Sequence, residues 1–211
     1  MHSRLLTSIL ERVERTIAER RGELDALDAA LGDGDHGTRL AAACAVLHRE
    51  AAALSARPLG EALASMARVV GEVMGGSGGR MYAALLRGMA SAAGEGDPDW
   101  PRTLAMLRAG RLALERESGL GRGAKTILDV VAPVVEALER LPEGVDAERV
   151  AGLALAAASH ALHHTRELIA AWEPADRLGH ESLEHIDPGA CSAALVIGVV
   201  AGTLASLSDH P

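Results

Sequence analysis

The chain has 211 residues, is 48% hydrophobic, and carries a formal net charge of -8 with a pI near 5.6. That length buries a full core in one domain, and the acidic balance argues against a nucleic-acid partner. Uninterrupted apolar runs fall short of the ~18 residues of a membrane span, and Glu11, Arg12, Glu14 and Arg15 break the opening stretch before any signal-peptide core forms. Cys44 and Cys191 stand far apart and outside any metal-ligand spacing, so both read as small buried residues of a reduced, cytoplasmic protein. Phe is absent, leaving a core of Ala, Leu and Val that suits closely packed helices.

From Ser3 onward, Leu6, Ile9, Leu10, Val13 and Ile17 recur at helical spacing, with Arg and Glu on the other face. A short pattern at Leu24–Leu31 runs into an aspartate-rich loop. Further helices are predicted over His36–Leu54, Pro58–Met74, Gly79–Ala92, Pro101–Glu117, Lys125–Leu141, Asp146–Ala171 and Gly189–Leu207. Pro58 and Pro101 sit where a first helical turn tolerates proline. No stretch alternates apolar and polar residues as a half-buried strand does. Short links favour antiparallel neighbours. The expectation is one all-α domain over residues 1–211, of about eight helices in an antiparallel up-and-down bundle. On the helix after Asp146, Leu155, Leu162 and Ile169 are expected to form the buried stripe. His160, His163, His164 and Glu167 then fall on a solvated face rather than around a metal.

The chemistry is expected in the loops. Asp28, Asp33 and Asp35 crowd three carboxylates into eight positions with glycines between them. That is a poor fold-stabilising element but a good set of oxygen ligands for Mg²⁺. An EF-hand is excluded, because Gly37 and Cys44 stand where ligands would be needed. His36-Gly37-Thr38 opens a helix, whose first N–H groups and dipole favour phosphate. Gly75–Gly79 gives a backbone that a ligand approaches closely, with Ser77 as a hydroxyl. Gly119–Thr126 is one residue from a P-loop, but Ala124 replaces the required glycine and no strand precedes it. It reads instead as an anion-facing turn with Lys125 or Thr126 available to a phosphate. His185-Ile186-Asp187-Pro188-Gly189 precedes the last helix, where Asp187 either caps the helix or touches a nucleotide. No Ser-His-Asp or Cys-His set argues for a covalent nucleophile.

These motifs, in this order and over nearly the whole chain, resemble the nucleotide-binding L subunit of dihydroxyacetone kinase. The residues that carry the likeness are Leu27-Asp28 with Gly32–Gly37, then Gly75–Gly79, Lys125-Thr126 leading to Asp129 and Pro133, and finally Gly179 with His185–Ala190. The resemblance implies an eight-helix antiparallel barrel with a nucleotide, ADP or ATP, at one mouth. It implies two Mg²⁺ ions on Asp28, Asp33 and Asp35. It places His36, Gly37, Thr38, Arg39, Gly76, Ser77, Gly78, Gly123, Lys125, Thr126, Asp187, Pro188 and Gly189 at the nucleotide. The small ketose then sits on a separate K-type subunit, and the nucleotide is either free ATP or is recharged in place by a phosphocarrier protein. No membrane partner is implied. Departures from the family pattern fall at Ser77, Glu72-Val73, Ala124 and Pro174, where an arginine is expected unless Arg177 substitutes. Two other readings fit the same motifs: a nucleotide-binding regulatory module without transfer, and a relative holding a lipid in the barrel.

Overall fold

A computed structural model describes residues 2–208. The first helix, α1 (His2–Ala29), is 28 residues long and spans roughly 42 Å. The sequence reads as two segments because Ala18–Glu23 is polar and exposed. Ile17 and Leu24 nevertheless lie seven positions apart, both fully buried, so one stripe continues beneath the polar stretch. The helix expected over His36–Leu54 is divided at Glu50 into α2 (His36–Arg49) and the single turn α3 (Ala51–Ser55). The turn is tied to α1 by the Thr7 and Ser55 hydroxyls, 2.9 Å apart.

Helices α4 (Leu59–Met74) and α5 (Gly76–Ser91) are separated by Gly75 alone, at φ 59° and ψ -164°. The expected glycine loop is therefore largely the first turn of α5. Helix α6 (Trp100–Ser118) starts on Asp99, whose carboxylate accepts from the Arg102 N–H at 2.9 Å, and ends on left-handed Gly119. Then follow α7 (Leu128–Leu138), α8 (Ala147–His164) and α9 (Pro188–Ser208). Among the described residues there is no strand.

Each long helix packs on its neighbours in the chain, and α9 packs back on α1, so the expected bundle is a closed ring of eight helices with α3 as a side turn. Small residues permit this closeness. A Cβ on Gly88 of α5 would lie 2.4 Å from the Ala109 carbonyl oxygen of α6. Burial of α7 is nearly complete, with Leu128, Val130, Val131, Ala132, Val134, Val135 and Leu138 all in the core.

Two expectations are corrected. On α8 the buried positions are Ala151, Ala154, Ala158 and Ala161; of the expected stripe Leu162 packs partly buried against the core, while Leu155, and Ile169 beyond the helix, are exposed. The α7–α8–α9 contacts are close enough that alanine, not leucine, fits between the helices. The helix also stops at His164, with a 3₁₀ turn (Thr165–Glu167) and extended backbone replacing its expected end. His160, His163 and His164 are exposed, as expected. In addition, α9 carries no charged residue through Ser206 and has a mean hydropathy of 1.8 over Pro188–Ser206, long and apolar enough by composition to cross a membrane. Here it lies between α1 and α8 in the ring.

Candidate functional site

The end of α1 and the start of α2 form one device. Helix α1 closes with the Leu31 and Gly32 N–H groups on the Asp28 carbonyl, and Gly34 at φ 77° turns the chain back. The Asp28 carboxylate then accepts from the N–H groups of Asp35 (2.9 Å) and His36 (3.1 Å). One turn earlier, Asp25 accepts from the Thr38 N–H (2.8 Å) and the Thr38 hydroxyl (2.7 Å). The first N–H groups of α2, expected to be free for phosphate, are thus capped by carboxylates of α1. Thr38 is wholly committed to Asp25. Gly37 is buried against α1, where a Cβ would lie 2.3 Å from the Arg21 carbonyl oxygen.

Asp28, Asp33 and Asp35 each offer an oxygen within 4.8 Å of the others. Burial, with the charge of Asp33 adding to it, pushes the Asp28 carboxyl up, against the N–H groups that it accepts from. Three converging carboxylates are the donor set that a hard oxygen-seeking cation needs, so these residues fit Mg²⁺. Their mutual repulsion is offset by Arg39, which reaches Asp35 at 2.6 Å and Asp33 at 3.3 Å. This explains why Asp35, although at the N-cap position, gives no side-chain cap to α2.

The other sequence motifs converge on the same end of the ring. A cleft of about 240 Å³ is bounded by the three aspartates, Arg39, Gly76–Gly78, Arg80, Glu173, Pro174 and Arg177. A smaller, adjoining cavity of about 70 Å³ reaches inward past His36, Ser77 and Gly78 to Thr126, Trp172 and Asp187–Gly189. Asp187 caps α9 by accepting from the Ala190 N–H at 2.5 Å, and burial pushes its carboxyl up to about 7. It is therefore both a cap and a wall of the cavity. Glu72, from the altered second motif, faces away: it is exposed and paired with Arg68 at 3.0 Å.

Lys125 differs from its expected role. Its ammonium donates to the carbonyls of Thr165 (2.7 Å), Leu168 (3.2 Å) and His185 (2.6 Å), which uses its three donors. It is buried at φ 60° and ties the turn before α7 to the segment after α8. Asp129 shapes the same turn by accepting from the N–H groups of Gly123 (2.5 Å) and Thr126 (2.8 Å). Gly123 is thereby held at the exposed rim, outside both cavities.

Four site residues escape the motifs. Tyr82 and Ser192 form a buried polar chain to His36: the Tyr82 hydroxyl lies 2.7 Å from the Ser192 hydroxyl, which lies 2.9 Å from His36 Nε2. Burial pushes the His36 imidazole down to about 4, so the ring is neutral at pH 7. Ser192 lies one turn past the Pro188-Gly189 motif, which is the signal that could have found it. Arg80 and Trp172 stack, with the guanidinium carbon 5.4 Å from the ring centroid. They lie about 90 positions apart in a chain without other local cues, and only the fold joins them.

Comparison with known proteins bears on the family and the fold. Residues 30–202 match the DAK2 domain model. The ADP-binding subunit DhaL of a PEP-dependent dihydroxyacetone kinase from Listeria innocua is 30% identical over 92% of this chain and 90% of its own length. D-erythrulose kinase from Mycolicibacterium smegmatis is 33% identical over 94% of this chain, but the match spans only 35% of that enzyme. The crystal structure of the dihydroxyacetone kinase of C. freundii in complex with AMP-PNP and Mg²⁺ superimposes with a TM-score of 0.74 at 25% identity, over 94% of this chain and 33% of that one. The chain spans most of a separate subunit and about a third of the longer kinases. On its motifs, its ring of helices and these matches, the chain belongs to the DAK2 domain family.

Proposed function

We propose that this chain is the nucleotide-binding subunit of a dihydroxyacetone-type kinase. In this reading it holds ADP or ATP with two Mg²⁺ ions at the mouth of the ring and passes phosphate to a small ketose on a separate K-type subunit. The observation that carries the reading is the convergence of Asp28, Asp33 and Asp35 on one point of a cleft whose other wall is the glycine turn. Bound there, the metal would neutralise phosphate oxygens and lower the cost of charge movement in transfer.

The chain's own residues do the rest. Asp28 fixes the aspartate turn through the Asp35 and His36 N–H groups, so the carboxylates are pre-positioned. Gly76 and Gly78 bring backbone to the ligand, with the Ser77 side chain between them. A Cβ on Gly78 would meet Met74 Cε at 2.7 Å and the His36 ring at 3.4 Å. His36, neutral and held by Ser192, presents its other ring nitrogen toward Gly78. Pro188, Gly189 and Thr126 close the inner wall.

A nearly full-length match to a separate PEP-dependent subunit favours the version in which the nucleotide stays bound and is recharged by a phosphocarrier protein. Such a subunit works in the cytoplasm. The test is thermal: Mg²⁺ with ADP should raise the Tm more than either alone, since a ligand binding only the folded state stabilises it. Equal shifts by ADP with and without EDTA refute the metal-bridged reading. Asp35→Ala should abolish the shift while circular dichroism stays helical. The purified chain should not phosphorylate dihydroxyacetone until a K-type subunit is added, and turnover by the chain alone refutes the two-subunit picture.

A further inference from the structure

The cleft is lined by carboxylates and guanidinium groups together. The same cleft is lined by Arg80, in the second turn of α5, and by Arg177, in the 3₁₀ segment Ala175–Ser182. Arg39 is already held by Asp33 and Asp35. Arg177 is exposed and has no ion pair or hydrogen bond among the described residues. Arg80 is placed by two contacts, the Trp172 ring under its guanidinium and Glu117 at 3.5 Å, a carboxylate it shares with Arg87 at 4.0 Å.

We propose that Arg80 and Arg177 form a phosphate clamp in the cleft of the metal carboxylates, with Trp172 as the positioning residue that orients Arg80. This rests on the nucleotide reading above and names the residues that select for the number of phosphates. The chemistry favours arginine in this place. Its guanidinium grips phosphate oxygens through paired N–H donors and stacks on an aromatic face at the same time. A cation resting on indole is fixed in direction without surrendering its hydrogen-bond donors, which remain for the ligand. Glu117 limits the clamp, because an anion competing for Arg80 weakens its hold on phosphate. The loop brings the Glu173 carboxylate to the cleft and no cation before Arg177, so with Arg39 held by the aspartates the positive charge left for a ligand comes from Arg80 and Arg177.

The test compares Mg·ADP with Mg·AMP binding by calorimetry or thermal shift in wild type, Arg80→Ala, Arg177→Ala, Trp172→Leu, Trp172→Phe and Glu117→Gln. The clamp predicts that each arginine variant loses about tenfold in ADP affinity, the worth of one charge-assisted contact. AMP affinity should be unchanged, so the ADP/AMP ratio collapses. Trp172→Leu should behave like Arg80→Ala, and Trp172→Phe should restore part of the ratio. Glu117→Gln should leave the ratio unchanged or raise it. If Arg80 were only a staple between α5 and α6, Glu117→Gln and Arg80→Ala would act alike on Tm and neither would move the ratio, which overturns the clamp alone. Failure of the wild type to bind either nucleotide with Mg²⁺ overturns the nucleotide reading and the clamp with it.

Discussion

Replacing Gly37 by Ala should destabilise the protein, although alanine is the better helix former. In an open helical position that change stabilises by roughly 0.5–1 kcal/mol. At Gly37 the added Cβ would lie 2.3 Å from the Arg21 carbonyl oxygen and 2.8 Å from Leu24 Cβ, both on α1. The obstacle is backbone and the root of a fully buried side chain, so no rotamer change relieves it. The helices must separate by about 1 Å, at the ~1–3 kcal/mol typical of an overpacked core. For a domain of this size, 1 kcal/mol corresponds to about 2–4 °C, so Tm should fall by roughly 2–12 °C. The same separation pulls the α2 N–H groups from Asp25 and Asp28, so the Mg·ADP shift should shrink as well. Gly152 of α8 is the control: it is exposed, and a Cβ there meets nothing within 4 Å. Gly152→Ala should raise Tm by about 1–4 °C. Thermal melts followed by circular dichroism decide it. A Gly37→Ala protein as stable as Gly152→Ala refutes the close-crossing account.

Arg39→Gln should raise the affinity for Mg²⁺ in the absence of nucleotide, because the guanidinium and the metal compete for Asp33 and Asp35; weaker Mg²⁺ binding by calorimetry would refute that competition. Asp187→Asn should gain stability relative to wild type as pH rises from 5 to 8. Because the folded carboxyl sits near 7 against an ordinary 3.8, its contribution is full below the unfolded value and is lost as pH climbs through the folded one. A Tm difference between the two proteins that stays constant over that range would refute the buried assignment.

Legibility in the sequence follows how local each interaction is. The ring was readable because helix periodicity and short links are local properties. Asp28, Asp33 and Asp35 were readable because eight positions hold all three. The capping of α2 was not, since the acceptors Asp25 and Asp28 belong to α1 and act across a turn whose path only Gly34 fixes. Lys125 looked like a phosphate ligand because a glycine-rich turn before a helix usually is one. Its partners are carbonyls 40 to 60 residues away, set by where α8 stops. The α8 stripe was misread because leucine outweighs alanine in a hydrophobic pattern, whereas helix spacing rewards the smaller side chain. Arg80 and Trp172 needed the ring itself, which brings the start of α5 beside the segment after α8.

Ring closure has a consequence for assembly. Asp28, near the end of α1, and Pro188, at the start of α9, both stand at the mouth, so the outer ends of these two helices lie together at the base. The Arg12 guanidinium donating to the Thr203 hydroxyl at 3.0 Å marks that adjacency. Polypeptide joined to either end would therefore depart from the face away from the cleft and leave the mouth open to a docking protein. One architecture thus serves as a free-standing subunit or as one segment of a longer enzyme without rebuilding the site, and a permuted chain with its ends joined at the base should keep the mouth intact.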